Sequence, residues 1–293
     1  RNVEGKATYD LRPEALARYQ RMFVAEYGAT MVGGCCGTTP AHIRAVVEAT
    51  KDLVPLPRPA PQPVQVSSLY LAVPLGQQPP PLIVGERTNA NGSKKFRDLL
   101  LAEDWDGMVE LGRDQAKEGA HVIDVCTAYV GRDETRDMTE VLRRFATAVT
   151  SPIMVDTTQL DVLEASLKLL GGRAIINSVN LEDGEGKADR IFSLAREYGA
   201  ALVALTIDEQ GMAKTAQRKL AVAQRLYEMA TRRHGLPGEA LLFDPLTFTI
   251  GSGDEASRDA GLQTLEGIRL IKRELAGVHT LLGLSNISFG LSP

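Results

Sequence analysis

Cysteine is scarce in this chain, with three among 293 residues. That scarcity excludes a disulfide framework and predicts a reducing, cytoplasmic setting. Long apolar runs are missing as well, and no stretch approaches the roughly 20 residues that a membrane helix requires. No secretory signal pattern is present either. Lysine and arginine never gather into a run, and the formal net charge is −4. Nucleic acid and anionic membrane are thereby excluded as main partners. What remains, 44% hydrophobic and 24% charged residues, is ample material for a globular core.

Two of the three cysteines are neighbours, in Val32-Gly33-Gly34-Cys35-Cys36-Gly37-Thr38-Thr39-Pro40. Ala29 to Val32 reads as a short buried strand, and Thr38 to Pro40 as the start of a helix running to Thr50. Glycines that let the backbone come close, beside two thiols in a strand-to-helix loop, predict a zinc-type site at Cys35 and Cys36. The competing readings are a buried reduced pair and a redox couple. Adjacent cysteines reach disulfide geometry only with strain, which disfavours the second.

Proline punctuates one region. Nine of the 15 prolines fall between Pro55 and Pro81, which predicts a semi-rigid spacer in extended conformation. Ahead of it, Arg12 to Tyr27 reads as an amphipathic helix with Leu16, Tyr19, Phe23 and Tyr27 on one face. Behind it, apolar runs alternate with helical patterns. Strands are expected at 82–85, 122–126, 153–156, 174–177, 202–207, 241–243 and 280–284. Helices are expected at 105–118, 135–149, 160–169, 187–198, 213–234 and 262–274. Continuous apolar strands alternating with helices predict a parallel sheet covered on both faces. A doubly wound sheet would favour a glycine-rich phosphate loop after the first strand, and Gly85-Glu86-Arg87-Thr88-Asn89 is not one. Each strand instead ends near a polar residue: Glu86, Asp124, Asp156, Asn177, Asp208, Asp244 and Asn286. Such ends converge on one mouth in a (β/α)8 barrel. Any one of them alone could be a helix cap. With seven strands read, the eighth is expected to be missing from this chain.

The Cys35-Cys36 motif resembles the zinc and homocysteine site of the cobalamin-dependent methionine synthase family and of betaine-type homocysteine methyltransferases. The later motifs are similar to that synthase family's folate (pterin-binding) barrel, and more distantly to dihydropteroate synthase. They are Val84-Gly85-Glu86-Arg87-Thr88-Asn89, Val155-Asp156-Thr157-Thr158, Ile175-Ile176-Asn177-Ser178-Val179-Asn180, Phe243-Asp244-Pro245-Leu246 and Gly283-Leu284-Ser285-Asn286-Ile287-Ser288. The resemblance implies an α/β TIM-type barrel over 82–293, preceded by a 55–81 linker and by the C-terminal end of a zinc barrel over 1–54. It implies a methyltransferase that moves methyl from 5-methyltetrahydrofolate to cob(I)alamin, within methionine synthesis from homocysteine. Glu86, Asn89, Asp124, Asp156, Asn177, Asp208, Asp244 and Asn286 would then hold the pterin, with Asn286 near N5 and Asn286 and Asp156 as catalytic positions. Cys35 and Cys36 would bind zinc with a third cysteine outside the chain. No Asp-x-His-x-x-Gly motif occurs, so cobalamin is expected on another domain of the same protein. One departure stands out: relatives commonly have asparagine where Asp124-Val125 is followed by Cys126. The alternatives are a dihydropteroate-synthase-like enzyme and a non-catalytic folate-binding module.

Overall fold

In this computed structural model the described residues are 2–3, 6–7, 9–57, 64–249 and 258–288. The chain divides into two units, residues 1–62 and residues 63–293.

The first unit has a short antiparallel pair, β1 (Asn2–Val3) and β2 (Lys6–Ala7), and two helices, α1 (Pro13–Tyr27) and α2 (Pro40–Thr50). Proline opens both helices, where its missing N–H costs nothing. Both helices fall where the sequence predicts them, but the buried face of α1 differs. Ala17 and Val24 are buried, whereas Tyr27 of the predicted stripe is 71% exposed. The predicted strand Ala29 to Val32 is absent: the segment is irregular and Met31 is exposed. A strand needs a neighbour for its N–H and C=O groups, and no described strand of this unit pairs with it.

The second unit starts with a hairpin, β3 (Gln65–Ser67) and β4 (Ala72–Pro74). Then come β5 (Val84–Asn89), α3 (Lys94–Leu101), α4 (Trp105–Lys117), β6 (Val122–Cys126), α5 (Glu134–Ala148), β7 (Ile153–Asp156) and α6 (Leu160–Leu169). Next are β8 (Ile175–Val179), α7 (Glu185–Tyr198), β9 (Ala201–Leu205) and a small hairpin of β10 (Ile207–Asp208) and β11 (Gly211–Met212). The series closes with α8 (Ala216–Glu228), β12 (Leu241–Asp244), α9 (Ala260–Glu274) and β13 (His279–Thr280). Seven strands form one sheet in the order β13-β12-β9-β8-β7-β6-β5, and every pairing is parallel. That order never reverses, as a doubly wound sheet would require. The sheet is the singly wound wall of a TIM-type barrel.

Side-chain alternation along the strands builds two cores. Ile123, Val125, Ile153, Val155, Ile176, Leu202, Ala204, Leu241 and Phe243 point outward to the helices. Their neighbours Val122, Met154, Ile175, Ala201, Val203 and Leu242 fill the barrel interior, beside Val66, Val73 and Leu75 of the hairpin segment. A period of two buries both faces of each strand, which is why the strands read as unbroken apolar runs.

The hairpin lies inside the proline-rich segment that the sequence presents as a spacer; residues 58–63, ahead of it, are outside the described set. Because Val66 and Val73 pack against the first residues of β6 and β8, it floors the barrel at the N-terminal ends of the strands. Ser67 fastens it through N–H to the Arg173 carbonyl and back from Arg173 N–H, both at 3.0 Å. Gly172 turns the chain there with φ +87°, and a Cβ on it would lie 2.5 Å from the Ser67 carbonyl oxygen. Gly172→Ala is therefore expected to cost about 1–2 kcal/mol for the left-handed backbone alone. A lowered urea midpoint checks it, and an unchanged midpoint would show that the floor yields freely.

Candidate active site

A cavity of about 790 Å³ opens where the strands end. Five polar side chains from five of the seven sheet strands line it: Asn89 of β5, Asp124 of β6, Asp156 of β7, Asn177 of β8 and, beyond β9, Asp244 of β12. Each of Asp124, Asp156, Asn177 and Asp244 stands two residues beyond an interior apolar residue, respectively Val122, Met154, Ile175 and Leu242. The strand period that buries the lower layer thus places the polar layer directly above it.

Asn89 reaches this layer through an irregularity. The β5–β6 register shifts between Gly85 and Thr88, and buried Gln115 of α4 bridges the bulge. Its Oε1 accepts from Arg87 N–H at 2.7 Å and its Nε2 donates to Thr88 Oγ1 at 3.2 Å. A bulge re-aims the next side chain. Asn89 Nδ2 then donates to Asp156 Oδ2 at 3.0 Å, while its Oδ1 accepts from Asn91 N–H at 2.9 Å. Across the layer, Asn177 Nδ2 donates to Asp124 Oδ1 at 3.2 Å. Asp244 Oδ1 accepts from Leu246 N–H at 2.7 Å.

Crowded acids shape the electrostatics. Burial, followed by the Asp156 carboxylate, pushes Asp124 up to about 7, against the bonds from Asn177 and Asn89. Burial also raises Asp156, opposed by hydrogen bonds from Cys126 and Asn89, with Glu134 and Glu86 adding to the rise. Asp244 is raised by burial, opposed by N–H groups of Leu246 and Gly283 and by the charge of Lys219. The Cys126 thiol is buried and pushed up to about 12, so it stays protonated and donates to Asp156. Glu134, at the start of α5, accepts from Thr157 Oγ1 and Gln159 Nε2, each at 2.5 Å. It braces the loop just past Asp156.

Three of the expected site residues stand apart from this cluster. Glu86 lines the same cavity from the bulge but is exposed. Asp208 does not line it. Its Oδ1 accepts from Arg218 Nη2 at 2.5 Å and from Gln210 N–H at 2.9 Å, so its carboxylate is spent on α8 and on the turn of the β10–β11 hairpin. Asn286 does not end the seventh strand. β13 is only two residues long, and after Leu281 N–H bonds the Phe243 carbonyl the chain leaves the sheet. Asn286 lies in a 3-10 turn, Leu284–Ser288, exposed and outside the lining.

In the first unit, Cys35 and Cys36 are exposed free thiols in a turn closed by Thr38 N–H to the Cys35 carbonyl at 3.0 Å. His42 is engaged with Thr39 and with the Leu11 carbonyl at 2.8 Å. Two thiolates are half of a tetrahedral zinc set, and among the described residues no group of three or more His, Cys, Asp or Glu is arranged to hold a metal ion, there or elsewhere. The described residues by themselves do not fit a zinc centre.

Two residues that matter here escape a sequence reading. Glu134 looks like an ordinary acid in a first helical turn. Lys219 left a clearer signal, a lysine in register with the buried Ala216, Val222, Ala223 and Leu226 of α8.

The family model of pterin binding enzymes matches residues 85–293. The chain belongs to the pterin-binding enzyme family. A model of homocysteine S-methyltransferases matches residues 1–50. Methionine synthase of Mycobacterium tuberculosis is 50% identical over 290 residues, covering 98% of this chain and 24% of that protein. The Mycobacterium leprae methionine synthase is 49% identical, with the same coverage. The chain thus spans about a quarter of the length of these relatives. Among solved structures, a Xanthomonas albilineans dihydropteroate synthase with 4-aminobenzoic acid superposes with TM-score 0.55 at 20% identity, over 75% of this chain and 77% of that one. The same enzyme with 7,8-dihydropteroate gives 0.52 at 18%, over 75% and 78%. That likeness is one of fold.

Proposed function

We propose that the second unit binds 5-methyltetrahydrofolate by its pterin ring and presents the N5-methyl group to a cobalt corrinoid carried by another domain. The observation behind this reading is the convergence of Asn89, Asp124, Asp156, Asn177 and Asp244 on one cavity. A pterin edge alternates ring N–H, amino and carbonyl groups. Carboxylates accept from the first two, and asparagine amides donate to the third. Near neutrality Asp124 can serve either way, since a protonated carboxyl also donates. Breaking the N5–CH3 bond leaves an amine that departs well only when protonated or strongly hydrogen-bonded. When bound, the corrinoid supplies the nucleophile that takes the methyl group. The chain's own part is to orient the ring, exclude water beneath it through the apolar interior, and keep the mouth open to a large acceptor.

Methionine synthase relatives and the homocysteine S-methyltransferase match over 1–50 support placing this transfer within methionine synthesis from homocysteine. Cys35 and Cys36 would then serve the homocysteine side, with further zinc ligands from elsewhere. A dihydropteroate-synthase-like reaction would need cations at the mouth for a diphosphate leaving group. Lys272 and His279 do line the cavity, but His279 pairs with Leu242, below the carboxylate layer. Lys272 Nζ donates to the Val278 carbonyl at 2.5 Å. The test is demethylation of 5-methyltetrahydrofolate by the chain with free cob(I)alamin, followed by absorbance. Methylcobalamin formation above the protein-free rate is expected. Binding without transfer would leave a folate-binding module, and pteroate formation from a pterin diphosphate would favour the synthase reading.

A further inference from the structure

Lys219 has no exposed surface, yet among the described residues its ammonium hydrogen-bonds carbonyls and no acid. Its Nζ donates to three carbonyls: Ala213 at 2.9 Å, Leu246 at 3.1 Å, and Pro245. The Phe248 ring lies 5.2 Å away. Its stem lies on Gly267 of α9, where a Cβ would come within 2.8 Å of Lys219 Cδ. Among the described residues, Asp244 is the one charged group acting on Lys219, and Lys219 the one acting on Asp244. An apolar side chain of the same length would fill this space without the desolvation of an ammonium. Packing alone therefore does not account for a lysine.

The three carbonyls show what the lysine holds. Ala213 follows the β10–β11 hairpin, while Pro245 and Leu246 follow β12, so one ammonium ties two loops at the mouth together. Leu246 has φ +59°, a left-handed conformation that a branched residue keeps only when its surroundings over-determine it. Its carbonyl accepts a second bond, from Thr264 Oγ1 at 2.8 Å. Its N–H is the donor that fixes Asp244 Oδ1.

We propose that Lys219 is a positioning residue of the pterin subsite, whose buried ammonium locks the Asp244-Pro245-Leu246 turn and thereby aims the Asp244 carboxylate. The inference rests on the reading of Asp244 as a pterin ligand. The same charge favours ionised Asp244, adding to the N–H groups of Leu246 and Gly283 against burial, so one residue acts on both its direction and its proton.

Two measurements on the whole chain test this. Isothermal titration with 5-methyltetrahydrofolate at pH 7 reads the aim, and carboxyl 13C shifts of labelled aspartate in the ligand-free chain read the charge. Lys219→Met is expected to bind about 10- to 100-fold more weakly, with the Asp244 titration midpoint raised by a unit or more. Adding Leu246→Gly, which takes the left-handed turn unaided, should recover at least threefold of that loss. A purely structural lysine predicts neither the raised midpoint nor the recovery. If Lys219→Met fails to fold, Gly267→Ala displaces the stem while keeping the charge, and about threefold or greater weakening with a shifted midpoint is expected. Wild-type affinity and an unmoved midpoint in whichever variant folds overturn the inference. A wild-type chain that binds no folate refutes the pterin reading instead, and the midpoint shift still decides the Lys219–Asp244 link.

Discussion

Asp156→Ala and Asp244→Ala should each weaken binding of 5-methyltetrahydrofolate by about 10- to 150-fold, read by isothermal titration at neutral pH. Hydrogen bonds to charged groups contribute about 1.5–3 kcal/mol, which is that range of affinity. Truncation also leaves orphans behind. Without Asp156, the Asn89 amide loses the acceptor it holds at 3.0 Å. Without Asp244, the Leu246 N–H loses its acceptor and the left-handed turn loses a tether. Asp208→Ala is the internal comparison, since its carboxylate is bound to Arg218 outside the cavity. It should change affinity little. Equal isotherms for wild type, Asp156→Ala and Asp244→Ala would sink the assignment of the polar layer to the pterin.

The second large effect is on stability and depends on pH. Asp124 is raised from an ordinary 3.8 to about 7, so the folded chain holds a proton that the unfolded chain has already released over that interval. The stabilisation from this group is complete below about pH 4 and is lost as pH rises through about 7. Asp124→Asn removes the titration. Relative to wild type it should gain roughly 2–4 kcal/mol between pH 4 and pH 8, at 1.36 kcal/mol per unit. The lower end reflects the shared charge of the Asp124–Asp156 pair. Urea unfolding at the two pH values measures it, and parallel pH profiles for the two proteins would contradict the crowded-acid account. The gain in stability would come with weaker pterin binding, as expected where a site keeps charges that folding alone disfavours.

Most of the barrel was legible in the sequence because two-sided burial writes each strand as an apolar run. Val122 to Cys126 and Ile153 to Asp156 were bounded as the structure has them. The polar ends were legible for the same reason, since Asp124, Asp156, Asn177 and Asp244 interrupt those runs. Legibility failed where local pattern and tertiary role separate. β13 pairs through only two residues, so an apolar stretch reaching Leu284 overstated it and carried Asn286 into a position that it does not occupy. Asp208 ends an apolar run too, but the run breaks at Thr206 into a hairpin. Lys94 to Leu101 was missed as a helix because two lysines open it and only Phe96 and Leu100 are buried. Lys219 escaped because two of the three carbonyls that hold it, those of Pro245 and Leu246, are distant in sequence.

The floor hairpin has a practical consequence for anyone dissecting this polypeptide into working parts. Reading Pro55 to Pro81 as a dispensable tether invites a cut near residue 82. Such a cut would discard Val66, Val73 and Leu75, and leave Val122, Met154 and Ile175 facing water. The severed piece would expose a greasy underside and tend to clump before any ligand could be offered to it. Expression boundaries belong ahead of Val64, so that the barrel travels with its own base plate.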